Sequence, residues 1–467
     1  MSNSFLVERI TQILDKMSGN SHFPKQSKYF DDFLSSLMTG SYDPLPRRKL
    51  NEVTLYDANK ENKYPLLKHQ AVAQTRPEDR QHTDMYKRLM DRGEQIDQRI
   101  RKEHGSINKH ISNGFRQYME NVGQGHNSFE DPRETQSTEL RKARAAFKEH
   151  VRQVGYLGKS APNFIGGNTK TEKNVELGDI TAGLSLSPAG VHGMGNHTSC
   201  PKSTKECRNS CLGYTTGQNA MLSNVNSKIA KHHFFAEHPE HAARLIHSEL
   251  LDHIDNVAKW NSEKGPKEKP LIASYRPNMV SDYNHADISH DMINHVTEYA
   301  RRKGVKFQVR DYTKRAELLN KPRPKNYFLA LSHTGQNRNP VTGKKHDESN
   351  DEAVGKALDE GHTVASIVNG DATHMYDAKR DRLYKMVEGD NDDQIENRGK
   401  QAGLKQKEDG THVDKNNRPT GVVSVLRVKG ISKKVQEAAG NFENQTETIN
   451  HPKYGKIRAV VINREHK

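Results

Sequence analysis

Residues 305–333 read VKFQVRDYTKRAELLNKPRPKNYFLALSH. Within them VKFQVRDY (305–312) and YFLALSH (327–333) are short runs of β-branched, aromatic and aliphatic residues bounded by turn formers, the pattern of strands. Upstream stand LIASY (271–275), read as a strand, and a helical pattern over 289–303. Downstream come a helical pattern over 350–359, then HTVASIVNG (362–370) and GVVSVLRVKG (421–430), with a final strand over Ile457–Ile462. This strand–helix–strand alternation predicts an α/β fold with a largely parallel sheet. Right-handed crossovers would wind it into an open parallel sheet or a partial (β/α) barrel.

Before this region, VNSKIAKHHFFAEHPEHAARLIHSELLDHIDNVAKW (225–260) reads as two helices broken near Pro239. Its six histidines (His232, His233, His238, His241, His247 and His253) contain no His-Glu-x-x-His metalloprotease motif and are expected to be mostly solvated. The character of the chain changes near residue 155. Residues 1–154 read as a helical, charged, basic N-terminal region ahead of an α/β metal-binding domain over 155–467. Two amphipathic helices are expected over 1–40, and a Pro-rich linker over 41–80. A long polar helix or helix pair, interrupted near Gly105, is expected over 81–120, and another helix over 137–154. Residues 371–420, rich in Asp, Lys and Asn, are expected to leave the sheet as an excursion.

The chain has 467 residues, 73 Lys+Arg and 59 Asp+Glu, hence a net charge of 73 − 59 = +14, with 32% apolar residues. No stretch approaches the roughly 18 apolar residues of a membrane span, and MSNSFLVERITQILDK lacks the pattern of a secretory signal. A basic excess favours a polyanionic partner, DNA or RNA, because Lys and Arg that neutralise phosphates release counterions. Localisation is expected in the cytoplasm of the host cell.

The only cysteines, Cys200, Cys207 and Cys211, lie in GVHGMGNHTSCPKSTKECRNSCLGYTTGQNA (190–220). An odd, clustered count argues against a disulfide framework and for metal ligands. Two metals fit. A structural zinc site would add His197 or His192 as fourth ligand, although no CxxC pair is present. A 4Fe-4S cluster on three cysteines would leave one iron open, which is what binding and reductive cleavage of S-adenosylmethionine requires. The glycines Gly190, Gly193 and Gly195 follow no clear strand and open no helix, so a phosphate loop is not expected.

In parallel α/β folds ligands gather at the carboxyl ends of the strands. That places Arg276, Asn278, Ser281, Asp282, Tyr312, Thr313, Lys314, Ser332 and Asp371 near one rim. Arg276 and Lys314 suit a phosphate or carboxylate. Asp282, Asp371 and Asp390 are a candidate Mg²⁺ set for a metal-dependent nuclease.

The order of these features resembles the phage gene-product-88-like family of uncharacterised proteins. The resemblance runs from Gly167-Asn168-Thr169-Lys170-Thr171 through Ser199-Cys200-Pro201 and Cys207…Cys211. It continues over Arg276-x-Asn278-x-x-Ser281-Asp282, Tyr312-Thr313-Lys314 and Glu388-Gly389-Asp390, up to Lys429-Gly430. It covers roughly 160–430 and implies a phage origin. The family's three-Cys motif is in turn similar to that of radical S-adenosylmethionine enzymes, with different spacing and with Ser210 where those enzymes carry an aromatic residue. On this reading Cys200, Cys207 and Cys211 hold the cluster. Arg276, Asn278, Ser281, Asp282, Tyr312 and Lys314 line the cofactor pocket, and the substrate is a nucleotide or nucleic acid. The alternatives are a non-catalytic nucleic-acid-binding protein with a structural zinc, and the nuclease.

Overall fold

Five parallel strands lie side by side in the order in which the chain makes them: β2 (Asp179–Leu184), β3 (Ile272–Arg276), β4 (Phe307–Thr313), β5 (Tyr327–Ser332) and β6 (Thr363–Asn369). A two-residue strand, β1 (Ile165–Gly166), flanks β2 antiparallel. Beyond β6 the sheet continues through β11 (Val422–Leu426), β8 (Arg382–Glu388), β7 (His374–Asp377), β14 (Gly455–Ile462) and β13 (Glu447–His451), while β12 (Asn444–Gln445) also pairs with β6. This is a mixed α/β fold with a mostly parallel twelve-stranded sheet, and its path does not close into a barrel. The computed structural model describes residues 77–123, 131–155, 161–167, 173–204, 207–208, 211, 213, 222–338, 343, 345–392, 394–427 and 444–464. The helices expected over 1–40 lie outside the described residues, as does the linker up to residue 76.

Residues 371–420 do not leave the sheet as a whole. Buried Met375 and Tyr384 anchor β7 and β8 within it, and only the hairpin of β9 (Lys405–Gln406) and β10 (His412–Val413) stands apart. The expected crossover helices appear as α6 (His290–Arg302) between β3 and β4 and α7 (Asp351–Asp359) between β5 and β6. From β4 to β5 a single 3₁₀ turn, Ala316–Leu318, suffices.

The long chain between β2 and β3 carries α4 (Leu222–Glu237) and α5 (Pro239–Ser262), separated at His238 as Pro239 required. Three earlier helices pack onto this pair: α1 (Pro77–His104), α2 (Ile107–Gly123) and α3 (Ser137–Gln153). The break between α1 and α2 falls at Gly105, whose φ of +73° suits glycine. The linker expected to reach residue 80 stops by Pro77, where α1 begins. On α1 the residues Met85, Leu89, Ile96 and Ile100 are buried at helical spacing. They share one apolar core with Phe115, Phe147, Phe234 and the strands, so packing crosses the boundary expected at 154–155. No described helix is long and apolar enough to cross a membrane.

Residues paired across a parallel ladder point to the same face. The register therefore puts Asp179, Thr181, Ser274, Gln308 and Arg310 on one polar face. On it the Arg310 guanidinium, 1% exposed, reaches Asp179 at 2.5 Å and Glu396 at 2.5 and 2.9 Å. The contact to Asp179 is a close ion pair, and Glu396 accepts two hydrogen bonds. This triad clamps the first strand of the series, the third, and the segment after β8. Removing the cation would leave two buried carboxylates unpaired, at a cost of about 3–5 kcal/mol. Arg310→Leu is therefore expected to lower unfolding stability by that amount in urea titration. A loss below about 1 kcal/mol, the value of an exposed pair, would show that the triad does not clamp the sheet.

Candidate metal centre

The loop from residue 185 to 213 leaves the carboxyl end of β2 and leads to α4, so the cysteines stand at the strand-end rim that parallel sheets reserve for ligands. Glycine brings this loop against α1. A Cβ on Gly93 would lie 2.5 Å from the His192 carbonyl, and Gly193, at φ +71°, abuts Met90.

Cys200 Sγ accepts the Ala189 N–H (3.3 Å) and faces the Val280 carbonyl (3.8 Å). The Thr204 hydroxyl caps the Cys207 N–H (3.1 Å), and the Cys211 N–H reaches the Arg208 carbonyl (3.4 Å). Burial pushes the Cys200 thiol up to about 12, with Asp282 and Cys207 adding to the shift and the Ala189 N–H opposing it. Cys211 is raised by burial and then by Cys207 and Cys200. Among the described residues no set of three ligands that includes a cysteine converges within 4.8 Å. A single zinc, with Zn–S near 2.3 Å, wants its sulfurs closer than that. A cube-shaped cluster offers its irons at separate corners and takes thiolates that are spread apart. Lys228 on α4 donates to the Gly213 carbonyl just beyond Cys211 and lies near enough to Cys211 for their charges to interact. Burial brings its ammonium down to about 8, against the pull of Cys211. A buried cation beside three thiols is what a net-negative thiolate centre needs.

Of the expected rim residues, Asp282, Thr313 and Lys314 meet beside the cysteine loop, whereas Ser332 and Asp371 engage Asn350 and Arg458 through their carbonyls. The Asp282 N–H donates to the Ser199 carbonyl (2.8 Å), tying the loop after β3 to the cysteine loop. The Asp282 carboxylate accepts the Thr313 hydroxyl (2.7 Å) and the Lys314 N–H (3.1 Å), and burial raises it to about 6 despite them. The Arg276 guanidinium stacks over the Tyr312 ring at 4.8 Å. Asn278 has a different role from the expected one. Its carbonyl oxygen accepts Ser281 Oγ and the Tyr283 N–H, and its amide donates to the Tyr283 carbonyl and to Asp311, so both ends organise the loop. Asp282, Asp371 and Asp390 do not form a metal set among the described residues. Asp390 instead accepts the Arg427 N–H (3.0 Å).

His197 does not join the cysteines. Its Nε2 meets the Tyr283 hydroxyl (2.8 Å), which also meets His232 Nε2 (2.9 Å). The expectation of solvated histidines is corrected at His232, His233 and His247, all fully buried. The reason is that α1, α2, α3 and the cysteine loop enclose α4 and α5 on faces that the sequence pattern of either helix alone leaves polar. Lys228, Tyr283 and His232 were missed by sequence reasoning. The available signals were a Lys within the apolar run of α4 and the Tyr that directly follows Asp282. One further constellation, Ser366–His333–Asp351, has triad-like distances of 3.1 and 2.7 Å. Ser366 is fully buried and its oxygen accepts from Asn444, so it is a packing network and not a nucleophile.

A family model described as Gene product 88 matches residues 161–416, which takes in the cysteines, the rim and the sheet from β2 to β10. Comparison with curated proteins and with solved structures finds no match.

Buried neutral histidines give the molecule a pH dependence. Burial holds His192, His232 and His247 well below 6.5, His197 and His233 near 4, and His285 near 3. Below pH 6.5 the unfolded chain binds protons that the folded chain refuses. Stability therefore falls as pH drops, each such histidine contributing up to about 1.4 kcal/mol for every pH step of one. Raised carboxylates, Asp282 at about 6, Asp311 at about 7 and Glu249, act in the opposite direction but are outnumbered by the lowered histidines. Chelator-treated protein should lose urea midpoint steadily from pH 7 to pH 5. An unchanged or rising midpoint would contradict this burial.

Proposed function

The chain belongs to the gene product 88 family, and from that premise we propose that it is a radical S-adenosylmethionine-type enzyme in which Cys200, Cys207 and Cys211 hold a 4Fe-4S cluster. The observation that carries the reading is the placement of three cysteines in the first long βα loop of a parallel series, with buried Lys228 near Cys211. The sequential order of β2 to β6 supports a partial (β/α) barrel, whose strand ends form one shared rim. When bound, such a cluster supplies one electron for reductive cleavage of S-adenosylmethionine, the source of an adenosyl radical for hydrogen abstraction.

The chain's own residues do the rest. The thiols would fix the cofactor. Lys228 balances negative charge on the side of Cys211. Arg276, spread over Tyr312, offers a delocalised cation for a carboxylate or phosphate. Asn278 and Asp282 hold the loop in register with Ser199. The net charge of +14 supports a nucleotide or nucleic acid as substrate, and the phage-type family supports action in the cytoplasm of an infected host.

Anaerobically purified protein should contain iron and sulfide in equal amounts and show a visible chromophore that bleaches with dithionite. The chromophore should be lost from Cys200→Ala/Cys207→Ala/Cys211→Ala. Zinc alone, with no colour after reconstitution with iron and sulfide, would sink the reading. Lys228→Met should retain the chromophore and move its reduction potential to a more negative value, because a nearby cation favours the added electron. An unchanged potential would remove Lys228 from the site.

A further inference from the structure

Two groups of potential metal ligands converge within 4.8 Å among the described residues, and neither includes a cysteine. One, His150, Glu237 and His238, is already saturated with positive charge, because Arg92 and Arg99 both pair with Glu237. The other is His192, His197 and His232, all buried; Arg101, whose charge reaches His197, is neutralised by Asp97 at 2.7 Å.

We propose that His192, His197 and His232 form a buried binding site for a divalent transition-metal ion of the zinc class, separate from the three cysteines. Imidazole nitrogens suit zinc and its neighbours. One ring nitrogen from each histidine lies within 4.8 Å of the other two. The rings of His192 and His232 sit 4.2 Å apart, and that of His197 at 5.3 and 5.9 Å from them.

The second observation is an orphan. His192 Nε2 is buried with no hydrogen-bond partner, a state that costs about 1–3 kcal/mol. Nδ1 of the same ring receives the Met194 N–H at 3.2 Å, while the Ala189 carbonyl favours a proton on this ring. With Nδ1 accepting, the ring proton sits on Nε2 as the orphan donor; a cation on Nε2 moves that proton to Nδ1, where the Ala189 carbonyl replaces the Met194 N–H as its partner, and the orphan gains a ligand.

His232 is oriented as metal-binding histidines are. Its Nδ1–H donates to the Ser187 carbonyl at 3.1 Å, leaving Nε2 as a bare lone pair. The Tyr283 hydroxyl donates to that lone pair and receives the Nε2–H of His197. A metal takes over both nitrogens, and the released hydroxyl can bond a water in the fourth position, the arrangement of three-histidine zinc sites. The sequence places His192 and His197 five residues apart in one loop and His232 on α4, so the ion would join loop to helix.

The test uses the full chain carrying Cys200→Ala/Cys207→Ala/Cys211→Ala, stripped with chelator and titrated with Zn²⁺ and with Co²⁺. The expected result is uptake of a single equivalent. The cobalt form should show visible ligand-field bands but no near-ultraviolet thiolate band. Adding His192→Gln or His232→Gln should weaken uptake at least about tenfold, with circular dichroism unchanged. Tyr283→Phe should bind as tightly or more tightly, because a competing hydrogen bond is gone. A folded cysteine-free chain that takes up neither metal, or one whose affinity survives both histidine variants, would overturn the proposal. Should the cysteine-free chain fail to fold, His192→Gln in the native sequence decides. Loss of one zinc equivalent with iron and sulfide unchanged supports the site, and no change in zinc overturns it. Absence of iron from the native chain bears on the cysteines alone.

Discussion

A single backbone hydrogen bond, from the Asp282 N–H to the Ser199 carbonyl at 2.8 Å, joins the two loops on which the site depends. One loop follows β2 and carries the cysteines. The other follows β3 and carries Asn278, Ser281, Asp282 and Tyr283. The Asp282 side chain extends the tie to β4 through Thr313 and the Lys314 N–H. Cys200 is therefore positioned by the ends of three adjacent strands as well as by the Ala189 N–H of its own loop. The cost is a carboxylate buried far enough to be raised to about 6, which the fold accepts because two donors, the Thr313 hydroxyl and the Lys314 N–H, converge on it.

The helices before residue 155 belong to the same construction. They cover α4 and α5, and α4 is thereby buried on nearly every face, including His232, His233 and Lys228. Gly93 and Gly193 let α1 and the cysteine loop approach at a distance that any Cβ would block. The N-terminal helices thus form one wall of the site, and displacing them would expose the histidines and the loop together.

This explains which features could be read from the sequence. Strands β3 to β6, β11 and β14 follow from β-branched runs bounded by turn formers, and α5 and α6 from their helical spacing. The Gly105 break and the Pro239 start have local causes and were legible to within a residue or two. The cysteines announce themselves by number and spacing. The burial of His232 and His247 has no local signal, since it is set by helices more than 100 residues earlier that pack on an outwardly polar face. Asn278 looked like a ligand because its neighbours are ligand types, and only its hydrogen bonds assign it to loop geometry. The strands of 371–420 were hidden by composition, because Met375 and Tyr384 are single buried residues in polar surroundings.

The donor atoms near the rim are sorted by chemistry. Sulfur stands on one side with Lys228, and nitrogen stands on the other with Tyr283. Tyr283 is the partition. Its hydroxyl holds His197 and His232, and its backbone is gripped by Asn278 on the strand-end loop. An imidazole free to turn toward Cys200 would complete a mixed cysteine–histidine set, which is the usual structural zinc trap. Held on a buried phenol, both imidazoles are kept from turning toward the thiols. The polar face explains why this can be rigid without an apolar core at the rim. Arg310, midway along β4, and its two carboxylates lock the strands together, so the strand ends can carry a largely polar, hydrogen-bonded network whose shape the sheet has already decided.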